Sequence, residues 1–232
     1  MTRLESAGTR RSNLEPIEAY IFDLDGTLLN TLQNLANCYN RVLVELGYPT
    51  HPADAYRYFI GDGARRCVER CLPASAQSPA IIDQMLALQQ LDYVANWQLD
   101  AQPYAGVVAM LATLVERGAP MAVLSNKDQR FTQACVEFFF PNTPFQHIVG
   151  YSDSVPHKPD PTGAKMIAAS FKTPPARIAL LGDTAMDMQT AVSCGMQGLG
   201  ALWGFRDAAE LNAAGAQRLL NAPLDLTHIS GA

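Results

Sequence analysis

Glu18-Ala-Tyr-Ile-Phe-Asp23-Leu-Asp25-Gly26-Thr27 decides the fold. The apolar run that ends in acid and glycine has the shape of a buried parallel strand whose carboxyl end carries function. Asp23 and Asp25 are two residues apart, so their side chains would alternate if the strand continued. Gly26 permits a sharp departure from it, and the two carboxylates can then converge on one pocket.

Working outward, Leu32 to Gly47 places Leu35, Tyr39, Val42, Leu43 and Leu46 at helical spacing, closed by Gly47 with Pro49 following. Ala64 to Cys71 and Ile81 to Trp97 continue in the same manner, with Ile81, Met85, Leu88 and Leu91 or Asp92 on one face. No strand pattern interrupts this stretch, which predicts a helical insert. From Pro103 helices and strands alternate: Val107 to Arg117, Met121 to Ser125, Gln129 to Phe138, His147 to Gly150, Gly163 to Phe171, Ile178 to Gly182, Met186 to Gly195. A short strand at Gly198 to Leu202 and a helix near Asp207 to Ala214 follow. This alternation predicts an α/β fold, a doubly wound parallel sheet of Rossmann-like type. The expected division is a loose tail over 1–16, a core from 17–31 and 101–232, and a helical cap over 32–100.

Composition narrows the partners. The 232 residues are 48% hydrophobic and 17% charged, as in a globular chain. A formal net charge of -5 supplies no basic field for a nucleic acid. The first residues carry no apolar run, so neither a secretion signal nor a membrane span is expected there. Five cysteines without a C-x-x-C pair fit a reducing, cytoplasmic setting better than a disulfide framework. Cys67 and Cys71 share a helix face, but no second cysteine pair follows to complete a zinc site.

A second acidic pair, Asp183 and Asp187 in Gly-Asp-Thr-Ala-Met-Asp, stands where another strand meets its helix. The i, i+4 spacing predicts both on one helix face. In a doubly wound sheet both acidic pairs lie on one carboxyl edge. Two such charges about 4 Å apart cost roughly 4 kcal/mol at an effective dielectric near 20, which a bound cation would relieve. All-oxygen donors select a hard ion, and a site that also holds phosphate suits magnesium. Ser125, after a strand, can offer its hydroxyl and the following backbone N–H groups to phosphate at a helix start. Lys158, in His-Lys-Pro-Asp-Pro, can place a point charge on the same group.

Asp-x-Asp-Gly-Thr, Ser-Asn-Lys, Lys-Pro-x-Pro and Gly-Asp-x-x-x-Asp, in this order, resemble the haloacid dehalogenase superfamily of phosphotransferases. Within it the chain resembles phosphoglycolate phosphatases, helped by Pro103-Tyr-Ala-Gly106 and Leu202-Trp-Gly-Phe205. The resemblance implies Asp23 as nucleophile and magnesium ligand, and Asp25 as general acid and base with its backbone carbonyl on the metal. It implies Asp183 as a direct ligand, Asp187 holding a metal-bound water, and Thr27, Ser125, Asn126 and Lys158 around the phosphoryl group. Dehalogenases proper lack the acid at Asp25, and P-type ATPases need membrane spans. One departure is Leu29-Asn30-Thr31, where the family often has Leu-x-Asp-Ser at the hinge into the cap.

The implied activity is magnesium-dependent hydrolysis of a small phosphorylated metabolite, with 2-phosphoglycolate as the first candidate, by a monomer or homodimer. A phosphosugar mutase of the same chemistry and a phospho-aspartate signalling module are the alternatives. In the cap, Phe59-Ile-Gly-Asp-Gly-Ala-Arg-Arg66 brings Gly61 and Gly63 before a helix that begins with Arg65 and Arg66. That arrangement can bind the carboxylate end of a small phosphorylated acid, or form a plain turn with two solvated arginines.

Overall fold

The computed structural model describes residues 14–229, so most of the expected N-terminal tail lies outside the described residues. In chain order the elements are β1 (Ala19–Phe22), β2 (Leu29–Asn30), α1 (Leu32–Glu45), α2 (Tyr56–Phe59), α3 (Ala64–Cys71), α4 (Pro79–Asn96), β3 (Gln102–Pro103), α5 (Val107–Glu116), β4 (Met121–Asp128), α6 (Gln129–Phe139), β5 (His147–Tyr151), α7 (Thr162–Phe171), β6 (Ile178–Gly182), α8 (Ala185–Cys194), β7 (Gln197–Ala201), α9 (Ala208–Ala213) and β8 (Arg218–Leu220). Six strands form one parallel sheet in the order β5-β4-β1-β6-β7-β8.

Strand β1 is buried on both faces, and its alternation feeds two cores. Tyr20 and Phe22 pack with Val107, Met110, Leu111 and Leu114 of α5, while Ala19 and Ile21 face Ala164, Ile167 and Phe171 of α7. The α5 set recurs at i, i+3, i+4 and i+7, the single stripe a helix needs to cover a sheet. Because β1 is central and its neighbours β4 and β6 are parallel to it, the residues after all three strands open on one edge.

Helices α1 to α4 form a layer with its own core, in which Leu35, Tyr39, Val42 and Leu43 of α1 meet Tyr56, Val68 and Met85. Two differences from the sequence expectation appear here. The buried face of α4 is Ile82, Met85, Gln89 and Tyr93, whereas Leu91 is exposed. This helix carries apolar residues around most of its circumference, so periodicity alone does not choose a face. The chain also enters and leaves the layer through a two-stranded antiparallel neck, Leu29–Asn30 against Gln102–Pro103, too short for any period to announce. Strand β8, three residues long, is likewise unanticipated.

Candidate active site

Asp23 and Asp183 follow adjacent strands in register, Phe22 opposite Leu181, and the Asp23 N–H donates to the Leu181 carbonyl at 2.9 Å. Asp187 joins them by a route other than the one its spacing suggests. Asp183 lies before the helix, Thr184 is the N-cap of α8, and Asp187 is at the third helical position. There its Oδ2 accepts from the Thr184 N–H at 3.0 Å and hydroxyl at 2.7 Å, a capping box turned toward the sheet edge. Gly182 makes room for it, since a Cβ there would lie 2.2 Å from the Asp187 carboxyl carbon. One carboxylate oxygen from each of Asp23, Asp183 and Asp187 then falls within 4.8 Å of the others, all buried.

Lys158 is the counter-charge. Its Nζ donates to Asp23 Oδ1 at 2.7 Å, Asp187 Oδ1 at 2.6 Å and the Leu124 carbonyl at 2.9 Å. Burial alone would lower its pKa, but Asp187 and Asp23 raise it and keep it protonated. Burial pushes Asp23 up to about 7; Lys158 works against that and Asp187 adds to it. Asp183 is raised well above the usual carboxylate range by burial, then by Asp23 and Asp187. Three buried acids thus face one buried cation, and the deficit of positive charge fits an all-oxygen site for a metal ion.

The expected phosphate-binding residues divide into two sets. Ser125 is buried and lines the cavity above the acids, its oxygen accepting from the Lys127 N–H at 3.3 Å, which leaves its proton free to donate. It lies within β4, and α6 begins only at Gln129 after the N-cap Asp128, so no helix start reaches it. Asn126 holds the loop of Lys158: its Oδ1 accepts from the Lys158 N–H at 2.6 Å, and its Nδ2 donates to the Gly61 carbonyl at 2.8 Å. Thr27 is not brought to the cavity. It is fully buried, and its hydroxyl donates to Asp183 Oδ1 at 2.9 Å, which fixes the carboxylate from below.

Asp25 turns away from the other three carboxylates but still lines the cavity. Its Oδ1 accepts from the Thr31 hydroxyl at 2.9 Å and its Oδ2 from Lys127 Nζ at 2.6 Å. Lys127 was not singled out in the sequence, although it ends Ser125-Asn126-Lys127. Its side chain is almost fully covered, 5.0 Å above the ring of Tyr93 from α4. Asp25 and Tyr93 hold it in the charged form against the effect of burial.

The sequence profile described as haloacid dehalogenase-like hydrolase matches residues 20–201. The chain belongs to the haloacid dehalogenase-like hydrolase family. Phosphoglycolate phosphatase of Thiobacillus denitrificans is 34% identical over 184 residues, 78% of this chain and 81% of that relative. Phosphoglycolate phosphatase of Pseudomonas putida is 31% identical over 198 residues, 83% of this chain and 72% of the relative. A haloacid dehalogenase-like family hydrolase from Streptococcus pneumoniae superposes with a TM-score of 0.82 at 25% identity, covering 91% of this chain and 97% of that one. CbbY of Rhodobacter sphaeroides, solved with phosphate, shares the fold with a TM-score of 0.74 at 22% identity, covering 90% and 96%.

In this haloacid dehalogenase-like hydrolase the helical layer roofs the acidic edge and encloses a cavity of about 580 Å³ that reaches down to Asp23. Gly63 packs on the ring of His157, which stacks on Tyr151 at 3.8 Å, and Gly61 hangs from Asn126. Arg65 reaches the cavity wall but is bonded to Asp83, while Arg66 lies outside the wall on the exposed side and bonds Glu69 at 2.7 Å. Two other arginines join the layers, and neither was marked in the sequence. Arg57 of α2 donates to the Gly204 carbonyl at 2.7 Å, and Arg206 returns the contact to the Ile60 carbonyl at 2.9 Å. Between them the Phe205 N–H donates to Asp183 Oδ2 at 2.7 Å, and the Phe205 ring enters the core of the helical layer.

Proposed function

We propose that the chain hydrolyses phosphate monoesters with magnesium, through a phosphoryl group carried on Asp23. What supports this above all is the meeting of Asp23, Asp183 and Asp187 around Lys158, with Asp25 on the same cavity. Magnesium held by Asp23, the Asp25 carbonyl, Asp183 and Asp187 would neutralise the clustered carboxylates and the incoming phosphate.

The chain's own groups then divide the work. Lys158 and the Ser125 hydroxyl orient the phosphoryl oxygens. A carboxylate oxygen of Asp23 attacks phosphorus as the ester P–O bond breaks, and the leaving alcohol takes a proton from Asp25. In the second half Asp25 removes a proton from water, which attacks phosphorus and breaks the bond to Asp23, releasing inorganic phosphate. Thr31 and Lys127 fix where the Asp25 carboxylate stands between the two halves. Residues 32–100, as a cap, would exclude bulk water during these steps.

The relatives' names make 2-phosphoglycolate the first substrate to test. Phosphate release with magnesium that disappears in Asp23→Asn is the expected result. Release from no ester would sink the hydrolase reading, and a long-lived phosphoprotein in its place would favour the signalling one. A cytoplasmic setting belongs to the same proposal and accords with five free cysteines and no described helix long and apolar enough to cross a membrane.

A further inference from the structure

The space above Asp23 is far larger than a two-carbon acid requires. Its volume of about 580 Å³ falls within the roughly 300–1,000 Å³ of pockets that enclose drug-sized ligands. The chemistry of its wall is equally distinctive. Leu35 and Tyr39 of α1, Ile60, Leu86 and Tyr93 of α4 and Phe131 of α6 give it a largely aliphatic and aromatic lining. At the side of the cavity the stacked rings of Tyr151 and His157 add a flat aromatic face.

A phosphorylated acid needs a cation for its carboxylate, and the wall's cations are already engaged. Lys158 holds Asp23 and Asp187, Lys127 holds Asp25, and Arg65 is bonded to Asp83. Burial holds His157 below its ordinary pKa, so it adds no charge near neutrality. Seating a second anion at Lys158 or Lys127 would break a buried pair, and Arg65 is held at the exposed rim by Asp83, whereas an apolar group only displaces water.

We infer that the enzyme takes, beyond 2-phosphoglycolate, phosphate monoesters whose alcohol carries an aromatic or branched apolar body, and that these bind better than the two-carbon acid. This rests on the phosphatase reading above, because the ester must be anchored at Asp23 for its body to reach the apolar wall. The body would lie between α1 and α4, with the phosphate at Ser125 and Lys158.

The test uses the full chain with magnesium and alkyl esters of similar leaving-group reactivity. Ethyl phosphate, 2-phenylethyl phosphate and 2-phosphoglycolate are compared by kcat and KM, with p-nitrophenyl phosphate as a general phosphatase probe. The expected result is a KM for 2-phenylethyl phosphate at least about tenfold below that of ethyl phosphate, from burial of one ring. Its kcat/KM should also exceed that of 2-phosphoglycolate. Ala87→Trp, on the exposed turn of α4 that borders the cavity, should cut the ratio of the phenylethyl to the ethyl kcat/KM by about tenfold. Equal KM values for the two alkyl esters, or 2-phosphoglycolate ahead of both, would overturn the inference and leave the phosphatase reading standing. No release from any ester, the nitrophenyl probe included, would overturn both.

Discussion

The acidic edge and the helical layer that roofs it are both rich in charge, yet they use it differently. At the edge, Asp23, Asp183, Asp187 and Lys158 are buried; the three acids are fixed by strand ends or a helix cap, and Lys158 by the Asn126 side chain that holds its loop. In the layer, Arg41–Asp92, Arg65–Asp83 and Arg66–Glu69 sit in or near solvent on helix surfaces. Exposed pairs of that kind contribute about 0–1 kcal/mol each. Buried groups carry several, and removing one partner strands the rest. The edge is therefore built for chemistry at the expense of electrostatic comfort, and the layer is built to cover it. Substitutions should separate the two kinds of region by what they change.

Asp23→Asn should give the largest effect, a fall in kcat of at least about 10³-fold. Stability should hold or rise, because one of three mutually repelling buried acids loses its charge while Lys158 keeps Asp187. Steady-state kinetics beside thermal unfolding checks both halves. A variant that is inactive only because it is unfolded would remove the contrast. Lys158→Met comes next and should do the opposite on stability. It strands Asp23 and Asp187 without a counter-charge, a loss of about 3–5 kcal/mol in metal-free protein. The loss should shrink in acid, where the two carboxylates take up protons. Equal unfolding midpoints for wild type and variant near neutrality would mean that Lys158 is not what holds the acids.

How much of this was legible follows from the same contrast. Asp23, Asp25 and Asp183 could be read because each lies just past the end of a strand in an α/β alternation, where a parallel sheet collects function, while Ser125 inside β4 and Lys158 in the loop after β5 are read through their motifs. Asp187 meets Asp23 and Asp183 through a capping box rather than through the shared helix face that its spacing predicts. Thr27, which the resemblance places at the phosphoryl group, bonds Asp183 156 residues away, a contact that no local pattern announces. Lys127 and Arg206 went unmarked for the same reason. Nothing local distinguishes a lysine paired across 102 residues, or an arginine bonded across 146, from a solvated one. Only its place as the third residue of Ser125-Asn126-Lys127 sets Lys127 apart. Arg206 is the residue after the Leu202-Trp-Gly-Phe205 loop.

Metal removal probes the edge more gently. Metal-free, the folded state holds Asp23 up to about 7 against an ordinary value of 3.8, so between those values the folded chain binds more protons than the unfolded one. Stability from this group is then greatest in acid and falls as pH rises through that window to about 7. Magnesium requires the ionised carboxylate and would cancel the penalty. Its addition should raise the unfolding midpoint by several degrees near pH 8 and by little near pH 5. A rise of the same size at both would mean that the ion binds somewhere other than these buried acids.

The smallest effect, and the one that tests whether the two regions act together, belongs to Arg206. It is buried, its guanidinium stands 5.3 Å over the ring of Tyr58, and it donates to the Ile60 carbonyl, while its Nη1 has no partner among the described residues. Next to it Phe205 joins the Asp183 carboxylate to the core of the helical layer. Loosening the layer should therefore reach the site through placement rather than through charge. Arg206→Ala is expected to raise KM by about three- to tenfold with a smaller change in kcat. Amide exchange should quicken over residues 57–61, and exchange in β1 and β6 should stay as it was. Arg206→Lys, which keeps the charge and one donor, should recover part of the KM. A fall in kcat at constant KM would place Arg206 in the chemistry instead, and an unchanged exchange pattern would mean that Arg57 and the Phe205 ring hold the layer without it.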